Sequence, residues 1–261
     1  MNEQATALPG TSPAPLLELL NPREQTWTVL IVLALGLVLG SLEMWILGWP
    51  LWGATVTVLA LLLVPGVLKW RTDLRRYGLT LMVLSVLLVA QGFHGFEHVA
   101  QWFQFHVLRW SPRQSGGLVS PANAEWIHFV WNWTVLLAVI FVMRGGMRNV
   151  WAWLLLIWAT AHTLEHTYLF VRYLQVLQEL REIGITNIGG QGLPGIIGRD
   201  GWLVRSAWTH GTIFARLPGL TTAIRLDVHF WWNVGETTLL FLAAHTFLRT
   251  RLGGRAASRD E

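Results

Sequence analysis

Residues 91–101 read QGFHGFEHVAQ, and residues 161–169 read AHTLEHTYL. Both carry the spacing H-x-x-E-H, with His94, Glu97 and His98 in the first copy and His162, Glu165 and His166 in the second. On a helix, positions i, i+3 and i+4 share one face, a turn apart. Each copy lies in a run otherwise apolar enough to enter a membrane. Ionisable side chains there are costly, face a bundle interior and mark a functional path. The duplicated cluster therefore sets the fold: helices that cross a bilayer and turn their polar faces toward one another.

The composition points the same way. The 261-residue chain is 53% hydrophobic and 13% charged, against about 25% charged in a soluble domain. Its mean hydropathy is +0.44. Several apolar runs reach or approach the ~20 residues that span a bilayer. Many of the 17 tryptophans, among them Trp27, Trp49, Trp70, Trp102, Trp126 and Trp151, sit near the ends of those runs, at the expected depth of the headgroups. The net charge of +4 reflects arginines flanking the runs. No basic stretch is dense enough for a nucleic-acid partner. With no cysteine, any metal must be held by nitrogen and oxygen. Residues 1–25 lack a basic start followed by an apolar core, so the first span is expected to serve as an uncleaved anchor.

The expected fold is an all-α integral membrane protein with six transmembrane helices. Residues 1–25 form an N-terminal tail with Pro9, Pro13 and Pro15, apart from a short surface turn near 16–20. A two-helix hairpin occupies 26–69, turning at Gly48-Trp49-Pro50, and a basic loop follows at 69–76. Residues 79–143 and 150–248 are each a two-helix unit, and 249–261 is a basic tail. Lys and Arg cluster at 69–76, 144–148 and 249–259, which the positive-inside rule assigns to the cytoplasm. Both termini then face the cytoplasm of a multi-pass cell-membrane protein. The loops at 111–123 and 175–226 are external. The longer one exceeds the ~15 residues beyond which an unstructured loop tends to be a lid or binding segment.

The repeat is longer than the H-x-x-E-H motif. Each unit continues through an external loop into H-F-x-W-N: His128, Trp131 and Asn132 in the first, His229, Trp232 and Asn233 in the second. Six of the nine histidines fall in register. The last four helices are thus two pseudo-symmetric, parallel two-helix repeats related about the membrane normal. At ~1.5 Å per residue, both H-x-x-E-H clusters and both H-F-x-W-N starts reach one layer in the outer half of the membrane. Glu236 lies on the His229–Asn233 face, where the first unit has Val135.

Facing Glu and His in a four-helix bundle are a known way to house two metal ions. The expected ligands are His94, Glu97, His98, His128, His162, Glu165, His166 and His229, with Asn132, Asn233 and Glu236 as auxiliary groups. Imidazole with carboxylate suits Fe, Cu or Zn, and two ions are expected. The plainer alternative is a polar seam of His–Glu pairs gluing helices together. A metal cation removes the desolvation cost of buried carboxylates, which favours ligation. In ligand type alone, two-span His-rich units resemble membrane desaturases and hydroxylases, whose adjacent-His boxes are absent here. The leading functional expectation is a non-haem dimetal oxidoreductase acting on a small or lipid-soluble substrate. The alternatives are a metal-stabilised subunit bound to other membrane subunits, a zinc hydrolase with an inverted H-x-x-E-H motif, a haem protein and a metal transporter. Glu43, His106, His210 and His245 read as interfacial or loop residues. Gln91 and Gln101 read as hydrogen-bonding partners of the ligands or as residues that simply join helices.

Overall fold

Long apolar runs punctuated by glycine and proline give long helices, and the computed structural model bears this out. It describes residues 15–185 and 193–257. Residues 1–14 of the expected tail, 186–192 of the expected long loop and 258–261 of the basic tail lie outside the described residues. Every regular element described is helical: α1 (Pro15–Leu20), α2 (Thr26–Leu47), α3 (Leu51–Tyr77), α4 (Leu79–His106), α5 (Glu125–Arg144), α6 (Val150–Glu182), α7 (Trp202–Arg205) and α8 (Arg225–Ala257). Short 3₁₀ turns fill the connections.

Four helices, α2 to α5, are long and apolar enough to cross a membrane. The distribution of side chains suits an apolar surrounding. Trp45, Ile31, Leu137 and Ile157 are exposed, while Gln91, Asn132, His162 and Asn233 are buried. The hydropathy of α6 and α8 is lowered by the polar residues that make them informative: His162, Glu165 and His166 on α6, and Asp227, His229 and Glu236 on α8.

Helices α4, α5, α6 and α8 form a closed ring in which each packs on two neighbours, and the α2–α3 hairpin joins through α3 against α4. Gly48, at φ +66°, closes α2, and Pro50 opens α3, so the expected turn is present. Gly36 and Gly40 are the buried residues of α2. A Cβ on either would approach Val58 or Ala54 to 3.2 Å. Small residues at this spacing let two helices approach closely where water supplies no driving force.

Three expectations are revised, the first being the start of the loop expected at 175–226, where α6 continues as helix to Glu182. The stretch 69–76 is helix, because α3 continues to Tyr77 and stops at Gly78, whose φ is +84°. Lys69 can stay inside because it donates to Asp73, to Ser85 Oγ (2.5 Å) and to the Leu19 carbonyl (2.7 Å). Residues 16–20 form no surface turn. Instead α1 docks against α8 and α4, and Leu19 is buried in the core.

The bundle has two layers. The lower one is apolar, with Leu84, Leu88, Val139, Leu155, Leu240 and Ala244 at its centre. The upper one, nearer the connections at 107–124 and 193–224, holds the polar residues of both repeats.

Candidate metal centre

In the upper layer, six histidines from four helices form one continuous cluster. His94 and His98 come from α4, His128 from α5, His162 and His166 from α6, and His229 from α8. Their ring centroids are separated by 4.7 Å (His94–His98), 5.7 Å (His98–His128), 5.0 Å (His128–His166), 4.7 Å (His166–His229), 5.4 Å (His98–His229) and 5.0 Å (His162–His166). His98, His162 and His166 are essentially inaccessible.

Contacts made by one copy of the motif have counterparts in the other. His98 meets His229 much as His166 meets His128. His94 packs on Trp131 at 5.1 Å, and His162 on Trp232 at 5.3 Å. Asn132 and Asn233 each donate to the carbonyl four residues back, that of His128 or His229, at 2.9 and 3.0 Å. The Nδ2 atoms of these asparagines are thus used within their own helices.

The differences are as informative as the likenesses. His98 Nδ1 bonds Gln101 Oε1 at 2.9 Å, whereas His162 Nδ1 bonds Glu236 Oε2 at 2.6 Å. With Nδ1 donating, each ring presents the Nε2 lone pair to the cluster, which is how a neighbouring acceptor fixes a metal-binding tautomer. Gln91 bridges Trp131 Nε1 (3.2 Å) and Asn233 (3.4 Å). Trp232 Nε1 has no partner among the described residues.

The donor set fits a metal. Ligand nitrogens of His94, His98 and His128 all lie within 4.8 Å of one another. The Nε2 atoms of His94 and His98 are 3.3 Å apart. Two imidazoles on one tetrahedral ion, with bonds of ~2.0–2.1 Å, have nitrogens about 3.4 Å apart. Among the described residues, both nitrogens of His128 and of His166, and Nε2 of His162 and His229, are buried without a hydrogen-bond partner. A buried polar atom left unpaired costs about 1–3 kcal/mol. The penalty over these atoms is on the order of 10 kcal/mol, comparable with the whole stability of a typical domain. Ligation would remove it.

The carboxylates of the two motifs are engaged elsewhere. Glu97 accepts from the backbone N–H groups of Leu118 and Val119, both at 2.8 Å. Glu165 accepts from Ile196 (3.0 Å) and Ile197 (3.3 Å). The sequence pattern suggested ligands or bridges, whereas the structure has each glutamate holding the loop that follows it. In both loops a glycine precedes the two amides, and a Cβ on Gly117 or Gly195 would overlap the carboxylate. Sequence reasoning missed this, although Gly-Leu-Val at 117–119 and Gly-Ile-Ile at 195–197 are a third element of the repeat. It also missed Arg225, which bonds Glu125 (2.6 Å) and the Leu193 carbonyl (2.6 Å) across the upper end of the bundle.

The remaining polar residues stand apart. His106 pairs with Asp227 at 2.6 Å, and Glu43 accepts from Thr57 at 2.8 Å. His210 is exposed in the loop. His245 lies on α8 about 24 Å from His229 at ~1.5 Å per residue.

Comparison of the chain with protein families, curated proteins and solved structures finds no match. The arrangement of side chains therefore carries the functional reading.

Proposed function

We propose that this chain is a membrane-embedded metalloprotein whose pooled histidines hold two transition-metal ions for redox chemistry. One ion would sit on His94, His98 and His128, and the other on His162, His166 and His229. The observation that carries the reading is the buried, unpartnered face of the imidazole cluster. An all-nitrogen donor set suits copper, iron or zinc, and the first two would supply one-electron chemistry. The protein's own part is to orient Nε2 through Gln101 and Glu236, to shield the cluster with Trp131 and Trp232, and to cap it with two loops.

In this reading all six long helices cross the bilayer. Helices α6 and α8 fall short on apolarity only because they carry the site. Arg75, Arg76, Arg144, Arg148 and Arg249 mark the lower end as cytoplasmic, which puts the cluster beneath the outer surface of the cell membrane. The contact spacing of the rings leaves no slot for a haem macrocycle. The apolar lower layer speaks against a transport path, which needs polar stations on both sides of its site. Glu97 and Glu165, the residues that a zinc-hydrolase motif would use as its base, are tied to loops.

A second reading, a metal-stabilised subunit of a larger membrane complex, is favoured by one observation. The cavity reaching His229 has a volume of only about 10 Å³, enough for a water-sized molecule. Metal analysis of the purified chain, with optical and electron paramagnetic resonance spectra, tests the proposal. Two copper or iron ions per chain are expected, falling to about one in His98→Ala and in His166→Ala. Zinc alone would favour the subunit reading. A chain that takes up none of these ions on reconstitution would overturn the proposal.

A further inference from the structure

The two loops that cap the histidine layer are held very differently. The first is fastened to one face of α4 by three side chains. Glu97 takes the amides of Leu118 and Val119, Gln101 donates to Asn123 (2.7 Å), and Gln104 exchanges two hydrogen bonds with Gly117 (2.8 and 3.2 Å). The matching positions on α6 are Glu165, Leu169 and Arg172. Among the described residues, Glu165 is the only side chain of α6 that bonds the second loop. Arg225 adds one bond from α8, to the Leu193 carbonyl.

The second loop is also knit to itself. Trp202 N–H donates to the Gly195 carbonyl (2.9 Å), Leu203 to Ile196 (2.9 Å), Gly198 to Leu220 (2.6 Å) and Arg199 to Ala223 (2.7 Å). Such a segment moves as a unit once its tether is released. Beneath it lies the cavity of about 10 Å³, whose wall includes Glu165, Gly195, Ile197, Arg225 and His229. The segment therefore stands between the upper surface and an imidazole of the cluster.

We propose that Glu165 and the Gly195-Ile196-Ile197 amides form a releasable clasp that governs access to His229, while the Glu97 loop is a fixed wall. Glu165 is a positioning residue: it acts on the site through the loop it holds. The glycine is required because any side chain at 195 would occupy the place of the carboxylate. Its φ is not in the left-handed range, so the requirement is one of space. Small solutes and metal ions would reach the histidines through this throat. The inference rests on the metal reading only for what passes through it.

The test uses the full chain in lipid nanodiscs, stripped of metal by chelator. It reads amide hydrogen exchange over residues 193–203 and labelling of His229 by a water-soluble imidazole-acylating reagent. Glu165→Gln and Gly195→Ala break the clasp from opposite sides. Both are expected to raise exchange at Ile196 and Ile197 and to speed His229 labelling by about tenfold, the scale of one lost charge-assisted hydrogen bond. Glu97→Gln is expected to leave both readouts over the second loop unchanged. Unchanged His229 labelling in both clasp variants would overturn the proposal. So would a loss of bound metal in Glu165→Gln, on reloading, with loop exchange unaltered, since that is the signature of a ligand. Failure to bind metal at all would sink the proposed function and leave the labelling result standing.

Discussion

His162 Nδ1 and Glu236 Oε2 lie 2.6 Å apart with both side chains buried. The equivalent of Glu236 in the first repeat is Val135, and the acceptor found there, the neutral amide of Gln101, serves His98, the counterpart of His166 and not of His162. A carboxyl acceptor on an imidazole raises its strength as a metal donor more than a neutral amide does. The two halves of the proposed centre would therefore be chemically unequal. Glu236→Gln should weaken the half built on His162, His166 and His229 by about 10–100-fold in metal affinity, the range for losing such a partner. The half built on His94, His98 and His128 should keep its ion. Competitive titration with a chromogenic chelator would resolve the two; equal weakening of both would refute the inequality.

Acidification should strip the metal. An imidazole binds a cation only through an unprotonated nitrogen, so each ligand lost to a proton weakens the site. Metal retention should hold above neutral pH and fall as pH drops through the range in which imidazole protonates, near 6.5 in its ordinary state. Dialysis across a pH series, with bound metal measured at each step, checks the sign. Retention that improved at lower pH would contradict ligation by histidine.

The buried Lys69–Asp73 pair at the lower end offers a test of the fold independent of the metal. Removing one charge leaves the other unpaired inside the protein, at a cost of about 3–5 kcal/mol. Lys69→Met should therefore lower stability sharply. The double variant Lys69→Met/Asp73→Leu should recover much of the loss, since matched apolar replacement of a buried pair is often neutral. Thermal unfolding in detergent would show both, and an additive loss in the double variant would mean that the pair is not coupled.

Gly40→Leu should open the α2–α3 hairpin, because a Cβ already approaches Ala54 to 3.2 Å. Overpacking of this kind costs roughly 1–3 kcal/mol. The metal content should be unaffected, because among the described residues α2 packs chiefly on α3, which joins it to the bundle. Cross-linking between cysteines placed on the two helices would report the opening. A parallel loss of metal would show that the hairpin supports the site.

The helices and the histidine layer were legible because apolar run length and the 3.6-residue period are written locally. Duplication of H-x-x-E-H and H-F-x-W-N brought all six rings of the cluster into view. The role of Glu97 and Glu165 was not legible. At about 100° per residue, Glu97 lies some 60° from His94 and 100° from His98, on the same side of both. It shares their half of the helix yet aims beside the cluster, toward a loop whose path no helical periodicity records. The docking of α1 escaped for a similar reason: Leu19 is buried through contacts with α4 and α8, far away in sequence. The continuation of α3 past Lys69 was hidden because a charge run reads as a loop unless the partners of Lys69 are known.

The apolar layer of Leu84, Leu88, Val139, Leu155 and Leu240 beneath the histidines works as an electrical insulator. Those five side chains offer ions and protons no stepping stone, so a change in the charge of the cluster would be compensated from above. In the proposed centre, the oxidation state of a metal held there would follow the pH and small ions of the medium above the capping loops, with the medium at the lower end unable to set it by direct ionic contact.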